Sequence, residues 1–198
     1  ERQEKEWPLA RTRWTKFYLD PARDALTTDK PVAEAKASYR ALGDGVTYLT
    51  PAFDRETEIT GPIAAKLWVS SSTTDADLFL VVRVFSPDLT EVVFQGALDP
   101  HTPVAQGWLR ASHRKLDKKK SLPYRPYHTH DAVQKLSPGE VYELDIEVWP
   151  TCIVVPKGYR VALTVRGKDY RWPGAEAGGQ VQLQGRVFSG VGPFKHDD

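Results

Sequence analysis

From Val141 to Trp149, apolar and acidic residues alternate without a break. Tyr142, Leu144, Ile146 and Val148 occupy one parity, and Glu143, Asp145 and Glu147 the other. Successive side chains of a strand point to opposite faces, so this run reads as a strand with one face in a core and one in water. Tyr159 to Arg166 repeats the pattern with Val161, Leu163 and Val165 inward. Ile63 to Ser71 does so with Ile63, Ala65, Leu67 and Val69, opposite Lys66 and Trp68. Leu78 to Phe85 is different. Leu78, Leu80, Val82 and Val84 form one face and Phe79, Val81 and Phe85 the other, interrupted only by Arg83. A strand apolar on both faces has to be covered on both, so something beyond a simple pair of packed sheets is expected over the second.

Turn-forming clusters separate these runs: Gly43-Asp44-Gly45, Gly61-Pro62, Ser86-Pro87-Asp88, Ser137-Pro138-Gly139 and Pro156-Lys157-Gly158. Further strands are expected at Arg13–Leu19, Val46–Leu49, Glu91–Gln95, Trp108–Arg114 and Gln180–Phe188. Val32 to Leu42, rich in Ala and Glu, is the one segment expected to be helical. Eight to ten strands without alternating helices predict an all-β fold, an antiparallel jelly-roll β-sandwich of the galactose-binding-like type. At 198 residues the chain can form a single domain, 1–198, with a proper core. The sequence contains no Met, even at position 1, and both ends are polar, so a domain excised from a longer protein is expected.

Charge narrows the function classes. Lys plus Arg number 27 and Asp plus Glu 26, a net charge of +1, which gives no electrostatic case for nucleic acid or an anionic membrane as partner. The lysine run from Lys115 to Lys120 is therefore expected to be a solvated loop. No stretch has the length of a membrane-spanning helix, and none near Glu1 has the form of a signal peptide. Cys152, the single cysteine, excludes an internal disulfide. Lying between Thr151 and Ile153, it is expected to be a small buried hydrophobe.

The densest chemistry lies in Gly107–Arg114 and Leu122–His130, which bring Ser, His, Arg and Tyr together. A Gly-x-Ser-x-Gly nucleophile elbow is absent, and as strand neighbours Ser112 and His113 would face opposite ways, so no catalytic residue is expected here. The same parity puts Trp108, Arg110, Ser112 and Arg114 on one face. Two guanidiniums beside an indole suit a contact surface, and Arg and Trp are enriched at interfaces. His128 and His130, two apart, and Asp75 and Asp77 are weak candidates for metal ligands. Hydrogen bonding to turns accounts for them as well, and no metal or other cofactor is expected.

Taken in order, Glu58-Ile-Thr-Gly-Pro62, Val69-Ser-Ser-Ser-Thr73, Asp75-Ala-Asp77, Gly107–Arg114, Pro138-Gly139-Glu140, Trp149-Pro150 and Pro156-x-Gly158 resemble the C-terminal domain of the cocaine-esterase and X-prolyl dipeptidyl-peptidase family of acyl hydrolases. Trp14 to Leu19 resembles the strand that enters that domain. The resemblance covers nearly the whole chain. It implies a non-catalytic jelly roll packed on an α/β-hydrolase domain of the same protein, which carries the Ser, Asp and His triad and is the expected partner. Trp108, Arg110, Ser112 and Arg114 would then be interdomain contacts. The family's loop near the acyl pocket corresponds to Asp29–Asp44, and the family continues past Gly192-Pro193-Phe194 to a last strand. Homo-oligomerisation stays open. A carbohydrate-binding module is the alternative, since jelly rolls with surface tryptophans stack sugars and a fold alone does not determine a function.

Overall fold

A computed structural model describes residues 3–96, 101–172, 182–183 and 186–187. Its strands are β1 (Tyr18–Asp20), β2 (Ala25–Thr27), β3 (Val46–Leu49), β4 (Thr57–Val69), β5 (Asp77–Phe85), β6 (Glu91–Val92), β7 (Ala105–Arg110), β8 (Tyr142–Val155), β9 (Arg160–Arg166), β10 (Gln182–Leu183) and β11 (Arg186–Val187). A 3-10 turn, Ala111–His113, follows β7. The fold is an all-β sandwich. Seven strands form one sheet in the order β1-β2-β3-β9-β5-β6, with β7 also paired to β5; the long strands β4 and β8 form a second, two-stranded sheet. Among the described residues the pairings are antiparallel except for one parallel contact between Ala25 and Leu49.

The core forms where the period-two pattern places it. Leu67, Leu144, Ile146 and Val148 from β4 and β8 meet Leu78, Leu80, Val82 and Val84 from β5, with Val161 and Val165 from β9 beside them. Each fully buried Leu, Ile or Val contributes about 1.5–3 kcal/mol, so this layer dominates the stability. β5 lies inside the large sheet, between β9 and the pair β6 and β7, so its backbone is paired along both edges. Its second face carries Phe79, Val81, Arg83 and Phe85, and Val81 is buried there. Ala162 and Thr164 of β9 are also buried on that side, so β9 is lined on both faces rather than one.

A polar network spans this outer face. The Arg83 guanidinium donates from Nε to Glu91 Oε1 at 2.8 Å and from Nη2 to Glu91 Oε2 at 2.5 Å, and its Nη1 reaches Thr164 Oγ1 at 3.3 Å. Thr164 in turn pairs with Thr47 at 2.8 Å, and Tyr170 donates to Glu91 at 3.1 Å. Arg83 also lies over the Phe85 ring at 4.8 Å. Burial works to lower the Arg83 pKa, but the Glu91 hydrogen bonds and charge outweigh it and raise it.

Five expectations need correction. The strand expected at Glu91–Gln95 is reduced to Glu91–Val92, with Phe94 making only an isolated bridge to Thr102. Val32–Leu42 forms no helix: Val32 to Ser38 are solvent-exposed and irregular. An eleven-residue helix is marginal in water without a face to bury, and this segment packs little besides Tyr39, whose phenol burial pushes up to about 12. Arg13–Leu19 is a strand only from Tyr18 onward. The strand expected to run through Trp108–Arg114 begins earlier and stops at Arg110, where the 3-10 turn takes over.

Finally, Cys152 is exposed, not buried. β8 continues past Pro150 to Val155, and a bulge sets Trp149 and Pro150 against the single residue Pro62. One extra residue inverts parity. Before it Leu144, Ile146 and Val148 face the core; after it Thr151 and Val155 do, which turns Cys152 outward to Thr60, whose hydroxyl donates to its Sγ at 3.3 Å. Both prolines sit where the ladder is interrupted and no backbone N–H is required. Within Gln180–Phe188, β10 and β11 pair as Gln182–Val187 and Leu183–Arg186, and the rest of that segment lies outside the described residues, as does Gly192-Pro193-Phe194.

Candidate functional site

β7 presents the segment with the densest chemistry. Its register against β5 sets Trp108 opposite Phe79 and Arg110 opposite Asp77 on the outer face, while Leu109 and Gly107 turn to the core. Arg110 holds Asp77 with both ends of its fork, Nε to Oδ1 at 2.7 Å and Nη2 to Oδ2 at 2.8 Å. This bidentate pair raises the Arg110 pKa, first through the hydrogen bonds and then through the Asp77 charge. Trp108 is 38% exposed and meets the Trp149 ring edge-on with centroids 5.1 Å apart. Trp149 itself stands out into solvent.

Ser112 and Arg114 do not share this face. Because the chain leaves the strand at Ala111, Ser112 turns inward and is 1% exposed. Its N–H donates to Asp75 Oδ1 at 2.9 Å and its carbonyl accepts Gln134 N–H at 2.7 Å. Arg114 folds back as well. Its Nη1 donates to the Ala111 carbonyl at 3.1 Å and to the Gln134 carbonyl, and its guanidinium covers the Tyr142 ring at 4.5 Å. The four candidates thus separate into an outward pair, Trp108 and Arg110, and an inward pair that ties the corner after β7 to the segment before β8. Sequence parity missed this because a 3-10 turn repeats every three residues, not every two.

Asp75 and Asp77 serve that corner. Asp75 receives the N–H groups of Ser112 and Ala76 and has the Lys135 ammonium 3.6 Å away. Burial alone would raise its pKa, but the hydrogen bonds and the Lys135 charge prevail and hold it below the usual carboxylate value. A carboxylate with a depressed folded pKa lends stability that is present above its unfolded value, about 3.9, and is lost as pH falls through the folded one. Stability is therefore expected to drop below about pH 4, and Asp75→Asn to lose part of that dependence. Urea titrations at pH 7 and pH 3 on both proteins check this; equal acid sensitivity would refute the role.

Three histidines line a cavity of about 430 Å³ beside Trp108, Phe79 and Arg110. They are His113, at the end of the 3-10 turn, and His128 and His130, from the loop before β8. The Nδ1 atoms of His113 and His130 are 3.3 Å apart. Burial lowers the His128 pKa against the opposing effect of the Asp145 backbone, and His130 adds to the lowering. Among the described residues no three His, Cys, Asp or Glu side chains are already disposed around a metal position. In the sequence His113 stands out only as a neighbour of Ser112. It meets His130 through the return of the 114–131 loop, which a bridge between Leu116 and His128 and the Lys115–Asp131 ion pair close. The lysines of that loop are largely solvated.

Among the described residues, Ser112 is enclosed and His113 turns to His130, so the two do not act as nucleophile and base. Residues 1–184 match the model of the X-Pro dipeptidyl-peptidase C-terminal non-catalytic domain. The chain belongs to this family. A CocE/NonD family hydrolase from Staphylococcus aureus, solved as a crystal structure, superposes with a TM-score of 0.81 at 30% identity, covering 89% of this chain and 33% of that one. A protein of Mycobacterium bovis named as a serine esterase is 29% identical over 132 residues, which are 63% of this chain and 19% of that protein. An aminopeptidase from a marine sediment archaeon shares the fold alone, with a TM-score of 0.58 at 16% identity over 81% of this chain and 30% of that one. The chain therefore spans about a fifth of the curated relatives it matches and a third of the solved hydrolase. As a PepX C-terminal domain it is non-catalytic, and that membership favours a hydrolase-associated domain over a carbohydrate-binding module.

Proposed function

We propose that this domain braces an α/β-hydrolase catalytic domain of the same polypeptide, in an acyl esterase or X-Pro dipeptidyl-peptidase of the serine hydrolase type, and helps shape its acyl pocket. The observation that carries the reading is the outer face of the large sheet. Val81 at its centre is buried, but Phe79 and Phe85 on either side are only half-buried and Trp108 on the edge strand is exposed, so part of its apolar area is left to solvent. A covering domain would remove that area from water, at about 25 cal/mol per Å². Arg110, already steadied by Asp77, would meet backbone carbonyls or a carboxylate across the contact. The S. aureus relative supports this, because it is a hydrolase of which a domain like this one makes up a third.

Two measurements test the proposal together. The 198-residue chain alone is expected to show no turnover of a p-nitrophenyl ester or an X-Pro p-nitroanilide. Turnover abolished by a serine-directed inhibitor would overturn the reading. In the full-length protein, Trp108→Ala with Arg110→Ala is expected to lower both thermal stability and esterase or peptidase activity. Unchanged values in that double variant would remove this face from the interdomain contact. Arg114 is left intact in the test, since its removal would loosen the domain from within.

A further inference from the structure

The histidine cluster is not accounted for by bracing. His113 and His130 approach through Nδ1 at 3.3 Å, with ring centroids 5.4 Å apart, and the His128 ring follows at 6.0 Å from His130. His128 Nε2 is enclosed and has no hydrogen-bond partner. His130 takes a left-handed backbone, φ 53°, which non-glycine residues adopt uncommonly and which clusters at functional positions.

Two zinc-bound imidazole nitrogens at about 2.0–2.1 Å in tetrahedral geometry stand about 3.3–3.4 Å apart. The His113–His130 separation falls at that value. The surroundings favour a cation over an anion. The guanidinium that lines the cavity, Arg110, is neutralised by Asp77 in a two-point pair, and the nearby Lys115 is paired with Asp131. What remains is the imidazole pair itself: His113 and His130 share a hydrogen between their Nδ1 atoms, and a cation that displaces it would meet two imidazole nitrogens, the preferred donors for zinc, nickel and copper.

We propose that His113 and His130 form a two-nitrogen clasp for a divalent first-row transition ion, with zinc as the reference case. His128 is the third donor, brought in by rotation of its ring when the ion binds. Three protein ligands then leave one position for solvent or for a group from a covering domain, the arrangement of an open zinc site. The clasp is separate from the bracing role and stands or falls without it.

The test is calorimetric titration of the whole 198-residue chain with zinc chloride at neutral pH, repeated with nickel. One ion per chain is expected. His113→Gln and His130→Asn should each weaken zinc at least about tenfold, the loss typical even of a group that only supports a ligand. Asn is chosen at position 130 because it tolerates the left-handed backbone. His128→Gln should weaken it less, and His101→Gln, outside the cavity, should change nothing. A second readout needs no calorimetry: copper should quench the fluorescence of Trp108, which lines the same cavity, and Trp108→Phe should remove most of that quenching. Circular dichroism confirms that each variant is folded. Zinc binding that is unchanged in the His113→Gln/His130→Asn double variant overturns the proposal, and so does an absence of saturable binding in the unmodified chain.

Discussion

Glu91→Ala is expected to cost the domain about 2–3 kcal/mol of unfolding free energy, because it leaves a half-buried guanidinium without its charge partner. The Glu91 side chain is 5% exposed and that of Arg83 19%. In water such a pair contributes little, but here neither charge can be resolvated without opening the outer face. Glu91 also receives the Tyr170 hydroxyl, so the substitution releases the segment beyond β9 as well. Denaturant unfolding at neutral pH measures the loss. The companion experiment separates the charge from the packing. Arg83→Met with Glu91→Leu is expected to recover much of the stability, since replacing both members of a buried pair with apolar groups is often neutral or favourable. A loss below about 1 kcal/mol for Glu91→Ala would mean that the pair behaves as a surface ion pair.

Gly107→Ala is expected to destabilise by about 3 kcal/mol or more, at the upper end of what overpacking costs. A Cβ at this position would stand 2.3 Å from the Glu147 carbonyl oxygen and 3.0 Å from both Cα and Cγ2 of Val148. Those first two atoms are backbone of β8, held by its ladder to β4, and cannot swing away as a side-chain tip would. Gly107 is thus the point at which β7 of the large sheet passes over the small one with no side chain between them. A thermal midpoint unchanged in Gly107→Ala would show that the sheets can separate there at little cost. Gly107→Val, bulkier and β-branched, should prevent folding altogether or shift the chain into an aggregated fraction.

The strands that could be read from the chain were those whose side chains alternate between faces without interruption. Val46–Leu49 forms as expected, and β5, β8 and β9 start within a residue of the expected positions, because alternation over six or more residues leaves one solution. The covered second face of β5 was legible from Phe79, Val81 and Phe85. What covers it locally was not: Thr47 and Thr164 lie 117 residues apart in the chain and Glu91 and Tyr170 lie 79 apart, and the four meet only when β3, β9, β5 and β6 pair. Cys152 was misplaced by the same alternation that placed Leu144, since the bulge at Trp149-Pro150 inverts parity and leaves no mark in a count of apolar residues.

The candidate site divides along the same line. Trp108 and Arg110 were placed correctly on one face, because they lie within a strand and parity governs them. Ser112, Arg114 and His113 were not, because one 3-10 turn redirects all three side chains at once. By itself, then, the sequence determined an all-β sandwich, its two packed faces, the absence of a nucleophile elbow and the family, each a property of local order along the chain. Tertiary structure alone decided which polar residues are tied inward, which stay available to a partner, and that His113 and His130 meet across seventeen residues. Those outcomes depend on strand register and loop closure, which are set by the summed packing of distant segments rather than by any one of them.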